Sequence, residues 1–309
     1  MTAAVSSDDL IIRCLLAGGS MRLVAVTTTD LSNEICRRHE TTGAMAVALS
    51  RATTAGLLLA TLTKGDEKVS LFVAGQGSLG TLMVDANSSG DVRAYPKKRG
   101  IEIHVPAKTH VSLGPITGHD GIISVARDLG LKENFTGRTE FRSGEIDDDV
   151  ERYLVTSEQI DSVLVADAAL DENGQILWAG GILLQAMPGG DHTDALAEER
   201  TRLHAGGFFE ALMASSGMGP EDLARKALGD LAGDLHLLET RPVQFSCPCS
   251  RERAEGTLVL LGERDLASII VDPGEAEVAC EFCRTTYHFS AENLEALRLS
   301  MGPQVGRPS

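Results

Sequence analysis

Hydrophobic and polar positions change their spacing several times along the chain. Residues 44–63, AMAVALSRATTAGLLLATLT, hold one glycine and no proline and predict a long buried helix. A period of two takes over in KVSLFVA (68–74) and TLMVDA (81–86), which predict two strands joined by a glycine turn. GDVRAYP, IEIHVP (101–106) and GIISVARDLG extend the β-rich pattern to about residue 130. The acids Asp147, Asp148 and Asp149 then open a helix with Val150, Tyr153 and Leu154 on one face. SVLVADAAL and WAGGILLQAMP predict two more strands, with DENG (171–174) as the hairpin turn.

The composition shifts after Pro188. Residues 189–240 hold ten acids against four bases, yet Leu223, Ala227, Leu228 and Leu231 still share a helical face behind Glu221 and Asp222. That predicts an acidic helical linker with limited core of its own, and composition alone favours a solvated one. From about Arg241 a smaller unit follows. PVQFS predicts a short strand, and Ser250 caps a helix that Gly262 ends. Leu266, Ile269 and Ile270 form a second short apolar face, and DPGE makes a turn before a strand into Cys280. TYHF follows Cys283, and Ser290 caps a last helix bearing Leu294 and Leu297. The expected class is α+β. A mixed α/β core covers 1–188, a linker 189–240, a small C-terminal domain 241–302 and a frayed tail 303–309.

Charge narrows the partners. A net charge of −16 repels phosphate backbones and anionic lipid, so neither nucleic acid nor a membrane is expected. The N-terminus has no basic leader before an apolar stretch, and windows such as AGLLLATL fall short of a membrane span. The expected compartment is the reducing cytoplasm, where paired cysteines point to metal or redox chemistry.

Several attractive features carry no chemistry. Gly75, Gly77 and Gly80 match a dinucleotide-binding spacing, but a strand follows them instead of the helix that such a site needs, so a hairpin loop is expected. No G-x-x-x-x-G-K-[ST] loop supports ATP hydrolysis. Cys14 reads as a buried inert thiol and Cys36, among charges, as a lone, partly exposed one. His288 lies near the later cysteines, but four thiols already complete a tetrahedral shell. No catalytic set stands out, and no enzyme is expected.

Cys247, Cys249, Cys280 and Cys283 supply the four soft ligands of a structural Zn²⁺ site, one ion per chain. A static zinc ribbon is the default reading of two cysteine pairs. Two facts favour a switch. Four thiolates around one Zn²⁺ carry a net charge of −2 and stay open to oxidants. Each pair can also close locally: residues i and i+2 on an extended chain stand ~6.6 Å apart at Cα, inside the disulfide limit of roughly 7 Å. Oxidation would then form Cys247–Cys249 and Cys280–Cys283 and expel the metal. A structural zinc contributes on the order of 10–16 kcal/mol, whereas whole domains are stable by only ~5–15 kcal/mol. A unit of this size should therefore unfold on losing it.

CPCSRER, CEFC followed by TYHF, and the upstream YLVTSEQ, AGGILLQAMP, GQGSLG and VRAYP together resemble the heat shock protein 33 family of redox-regulated holdase chaperones. The resemblance spans nearly the whole chain and places the family's zinc ligands on the same four cysteines. It implies an N-terminal α/β domain, a helical linker, a zinc domain, dimerisation on activation, and ATP-independent binding of unfolding clients. Ala94 and Pro96, and Ile160 with Asp161, depart from the family pattern and bear on local strand geometry. Leu223, Leu228 and Leu231, with the N-terminal surface beneath them, are the candidate client-binding residues. Two other classes compete: a zinc-ribbon nucleic-acid binder, which the charge opposes, and a thiol-disulfide oxidoreductase, which would need a helix after its C-x-x-C.

Overall fold

The computed structural model describes residues 8–65, 67–128, 135–187 and 193–301. The expected junction at 188/189 and the tail 303–309 lie outside the described residues. The chain divides into two compact units, Met1–Ser246 and Cys247–Ser309.

In the first unit, β1 (Leu10–Leu16) and β2 (Met21–Thr27) lead into α1 (Thr29–His39) and α2 (Gly43–Ala60). A second set of strands follows: β3 (Lys68–Gly75), β4 (Thr81–Asn87), β5 (Asp91–Pro96), β6 (Gly121–Asp128) and β7 (Phe135–Glu140), with the short α3 (Gly114–Thr117) before β6. Then come α4 (Ile146–Ser157), β8 (Ser162–Leu170) and β9 (Ile176–Ala186). The acidic stretch folds as α5 (Thr193–Arg202), a π-helical turn (Leu203–Gly207), α6 (Phe208–Ala214), α7 (Pro220–Leu228) and β10 (His236–Pro242), and β11 (Gln244–Phe245) closes the unit. One sheet has the order β10-β1-β2-β9-β8, all antiparallel; the other is β11-β5-β4-β3-β6-β7, with only β11 parallel to its neighbour.

As its sequence predicts, α2 is buried along nearly its whole length, packed among strands of both sheets. It is the one helix among the described residues long and apolar enough to cross a membrane, and 94% of that span is buried inside the protein. Gly56 permits the close approach, since a Cβ there would stand 2.7 Å from Cγ1 of Val84. The single charge on α2, Arg51, pairs with Asp147 and with Glu145 (2.9 Å) and donates to the Val111 carbonyl (3.0 Å). Burial alone would raise the Asp147 carboxyl, but Arg51 outweighs it and holds it below its ordinary value.

The first sheet is covered on both faces, which is why SVLVADAAL is apolar almost throughout. One face meets α2. The other meets the acidic stretch, whose Leu196, Leu203, Phe208, Leu212, Leu223, Ala227 and Leu228 join Cys14, Leu23, Val165 and Ile182 in one core cluster. The acidic stretch is therefore not a solvated linker: none of its described acids is buried, while its apolar stripe lies on a sheet.

Three local expectations need correction. IEIHVP is not a strand: residues 101–106 pair in neither sheet, and the Ile103 carbonyl instead accepts the Ala44 amide (2.9 Å) at the start of α2. Residues 236–242, read mostly as linker, form an edge strand on β1, with Leu10 opposite Pro242. Cys36 is buried, not partly exposed, because α1 turns it toward α2, 3.9 Å from the Ala46 carbonyl. By contrast, GQGSLG is the β3–β4 hairpin loop, closed by the Gly75 amide on the Gly80 carbonyl. β5 runs in regular register through Ala94 and Pro96, and Asp161 accepts from Arg200 (2.7 Å), so neither departure distorts its strand.

The second unit packs α8 (Arg251–Val259), α9 (Glu263–Val271) and α10 (Ala291–Ser300) on a hairpin of β12 (Glu275–Ala279) and β13 (Thr286–Ser290). Ser250 and Ser290 cap α8 and α10 as expected, the latter in a capping box with Asn293. Its fully buried core is small: Ala254, Leu258, Leu266, Phe289 and Leu294.

Candidate metal centre

Both cysteine pairs sit on turns. Cys280–Cys283 closes the β12–β13 hairpin. The Cys280 amide donates to the Thr285 carbonyl and the Arg284 amide to the Cys280 carbonyl, both at 2.9 Å, with Arg284 in the left-handed region (φ 65°). The amides of Phe282 and Cys283 also point at the Cys280 sulfur. Cys247 and Cys249 lie between β11 and the N-cap Ser250, where the chain makes no ladder and is free to bend, so both sulfurs face inward.

All four sulfurs lie within 4.8 Å of one another. Cys247 Sγ is 3.7 Å from Cys280 Sγ, and Cys249 Sγ is 3.2 Å from Cys283 Sγ. Four thiolates at ~2.3 Å from one tetrahedral ion stand roughly 3.8 Å apart. The donor set therefore fits Zn²⁺ in number, softness and spacing.

The surroundings hold this set in place. Tyr287 donates its hydroxyl to Cys249 Sγ at 3.2 Å, and the Thr285 hydroxyl lies 3.2 Å from Cys283 Sγ. Burial pushes the Cys249 thiol up to about 12, helped by neighbouring thiols and opposed by Tyr287. Burial also opposes ionisation of Cys283, but hydrogen bonds from Thr285 and the adjacent thiols outweigh it and bring that group down to about 7. Arg251 braces the site from behind. It donates to the His288 carbonyl (3.0 Å) and to Asn293 (3.1 Å), and its guanidinium stacks 4.3 Å from the Phe289 ring centre. Sequence reasoning missed Thr285, Tyr287 and Arg251. The only available signal was that they flank the cysteines.

The structure thus brings together all four predicted ligands. His288 turns away, its Nδ1 2.9 Å from Glu277. A strand, not a helix, follows Cys283, which is not the arrangement a C-x-x-C oxidoreductase needs. Cys14 and Cys36 belong to the first unit, where burial pushes both thiols up to about 11. Of the candidate client-binding residues, Leu223 and Leu228 are buried and Leu231 is partly so, all in the core beside the first sheet.

Fold and site together define a two-unit α+β protein with a four-thiol centre that could hold a soft metal ion on its small C-terminal unit. The chain matches the family model described as Hsp33 protein over residues 9–290. It is 37% identical over 290 residues to the 33 kDa chaperonin of Bacillus subtilis, an alignment covering 94% of this chain and 98% of that protein. It is 33% identical over 291 residues to the 33 kDa chaperonin of Enterococcus faecalis, covering 94% and 96%. The crystal structure of the 33 kDa chaperonin (heat shock protein 33 homolog) of Thermotoga maritima superposes with a TM-score of 0.83 at 26% identity, covering 95% of this chain and 99% of that one. The chain belongs to the Hsp33 family.

Proposed function

We propose that the protein is a cytoplasmic, ATP-independent chaperone that holds unfolding polypeptides and is switched on by oxidation of Cys247, Cys249, Cys280 and Cys283. One observation carries the reading: four convergent sulfurs sit in a unit whose buried hydrophobic core, among the described residues, is five side chains. Such a unit is marginal by packing alone. A bound Zn²⁺ would keep the four sulfurs as thiolates and tie the two cysteine-bearing turns together.

A two-electron oxidant such as hydrogen peroxide converts two thiols to one disulfide and two waters, so two equivalents oxidise all four. Sequence neighbours have the highest effective concentration, which favours Cys247–Cys249 and Cys280–Cys283. A sulfur in a disulfide no longer binds as thiolate. The same residues cannot both be oxidised and hold a metal, and loops this short add little constraint to the unfolded chain. The second unit then unfolds. β11 and β10, which run directly into Cys247, lose their folded continuation and become the fraying end of the first unit. Loosening of the acidic stretch would uncover the Leu223–Leu228 stripe and the sheet beneath it, apolar surface suited to an unfolding client or to a second copy of the chain. The surrounding acids would keep the complex soluble.

The test is zinc content, aggregation suppression and peptide mapping on one sample before and after peroxide. Loss of one zinc per chain, a rise in suppression and the two neighbour disulfides are expected. Activity that rises with zinc retained, or mapping dominated by Cys249–Cys280, would refute the mechanism.

A further inference from the structure

We propose that the first unit carries a binding site for a small phosphate-type anion, in a cleft between the edge of the first sheet and the end of α2. The cleft has a volume of about 330 Å³. Arg13 on β1 and Arg241 on β10 form one side. Thr63, Lys64 and Gly65, just beyond α2, and Ser88 and Ser89, in the β4–β5 turn, form the other. Among the described residues no apolar side chain lines it, unlike the usual small-molecule pocket with its greasy wall. Three cations converge there on a protein with a net charge of −16.

Both guanidinium groups are held from the protein side. Arg13 donates through Nη2 to the Thr61 carbonyl (3.1 Å), and Arg241 through Nη1 to the Ser88 carbonyl (3.0 Å). Their orientation is fixed before any ligand arrives, which lowers the cost of binding. Ser88 donates its hydroxyl to the Gly65 carbonyl (3.1 Å), tying the two loops together, and Thr63 donates to the Ala60 carbonyl. The ligand donors that remain are the free N–H groups of the arginines, the Ser89 hydroxyl and the Lys64 ammonium. Among the described residues nothing pairs with that ammonium; Glu67 takes only the Lys64 backbone amide.

Among the described residues the acid paired with the arginines is Glu239, which accepts Arg241 Nε at 2.6 Å and Nη2 at 2.5 Å and lies 3.6 Å from Arg13 Nε. Glu67, whose carboxylate takes the Lys64 amide at 3.1 Å, is a second acid at this wall. Among the described residues three cations then face two carboxylates, an excess of positive charge that suits a phosphate-type anion, whose several acceptor oxygens can meet donors from both walls. At about 30 Å³ per water, the cleft holds a phosphate with either retained water or a small organic ester group. Aromatic stacking platforms are missing from the lining, so the ligand is a phosphate and not a stacked base. Bound there, it would bridge β1, β10 and the end of α2.

The experiment is equilibrium dialysis and ³¹P NMR line broadening with inorganic phosphate on the full chain, in a phosphate-free buffer at fixed ionic strength. Phosphate and sulfate stabilise many proteins through exclusion from the surface, so a melting shift alone is not the readout. One phosphate per chain is expected, displaced by sulfate and not by acetate. Affinity should fall about tenfold or more in Lys64→Glu and less in Ser89→Ala. Lys64 is exposed, and unchanged Trp178 fluorescence verifies the fold of that variant. A glycerol phosphate arm distinguishes the source: tighter binding than inorganic phosphate assigns an organic ester, equal binding the free ion. No broadening at millimolar phosphate, or equal affinity in Lys64→Glu, overturns the proposal.

Discussion

His204 Nε2 lies 3.1 Å from Oε2 of Glu151, while the other oxygen of that carboxylate takes Nε of Arg200 at 2.6 Å. One residue of α4 thus fastens two residues of the acidic stretch. Burial works against a charged imidazole here, but the hydrogen bond to Glu151 and the charges of Asp147, Glu151 and Asp148 outweigh it, so the His204 pKa is raised. Its contribution to stability is therefore complete below the unfolded value of about 6.5 and is lost as pH rises through the folded value. Hydrogen exchange in 193–214 should quicken as pH climbs from about 6 to 9, after correction for intrinsic exchange. His204→Gln should flatten that dependence. His110, beside Asp167 and 5.6 Å from the Phe209 ring, acts in the same sense, so local exchange and not the global melting point is the measure.

Leu228→Glu should give chaperone activity without oxidant. Leu228 is 3% exposed in an apolar cluster, so a carboxylate in its place would have to be buried among hydrocarbon or push the helix off the sheet. Aggregation suppression by the reduced, zinc-loaded variant checks this, with exchange across 193–232 as the structural readout. Leu223→Ala, emptying a site packed on Gly180, should cost about 2–5 kcal/mol of stability.

Chelating the metal from reduced protein should unfold the second unit and spare the first. The chain's single tryptophan, Trp178, lies on β9 and reports only on the first unit. Far-ultraviolet circular dichroism should fall while Trp178 fluorescence holds. If the fluorescence shifts in step with the loss of helix, the two units do not unfold independently.

Tyr287→Phe and Thr285→Val should each weaken zinc binding by about 10–100-fold without changing the stoichiometry of one. Competition with a chromophoric chelator measures it. Affinity unchanged in both variants would mean that their hydroxyls do not act on the sulfurs.

What the sequence made legible was local. The α2 run, the β3–β4 hairpin, the Ser250 and Ser290 caps and the four cysteines are each set within a few neighbouring residues, and each lies where expected. What it concealed was long-range. β10 has no apolar alternation to announce it, since Leu237 and Leu238 are both substantially exposed, and it is a strand only because β1 offers an edge. IEIHVP has the alternation but pairs with no strand, and its Ile103 carbonyl takes the Ala44 amide at the start of α2 instead. Arg51 looked like an interruption of an apolar helix until Asp147 and Glu145 arrived from nearly a hundred residues away. Arg13 and Arg241 are likewise unremarkable in sequence and share a cleft only through the β1–β10 pairing.

That pairing also dictates the order in which the protein can be made. β1 finds β2 almost at once, but its other edge stays open until residues 236–242 have been synthesised, because Leu10 pairs with Pro242. At roughly 5–20 residues per second, the ribosome leaves that edge bare for on the order of 10–50 s. Until then the chain is itself a half-built sheet with an exposed apolar face, so its own biogenesis passes through the kind of state that aggregates.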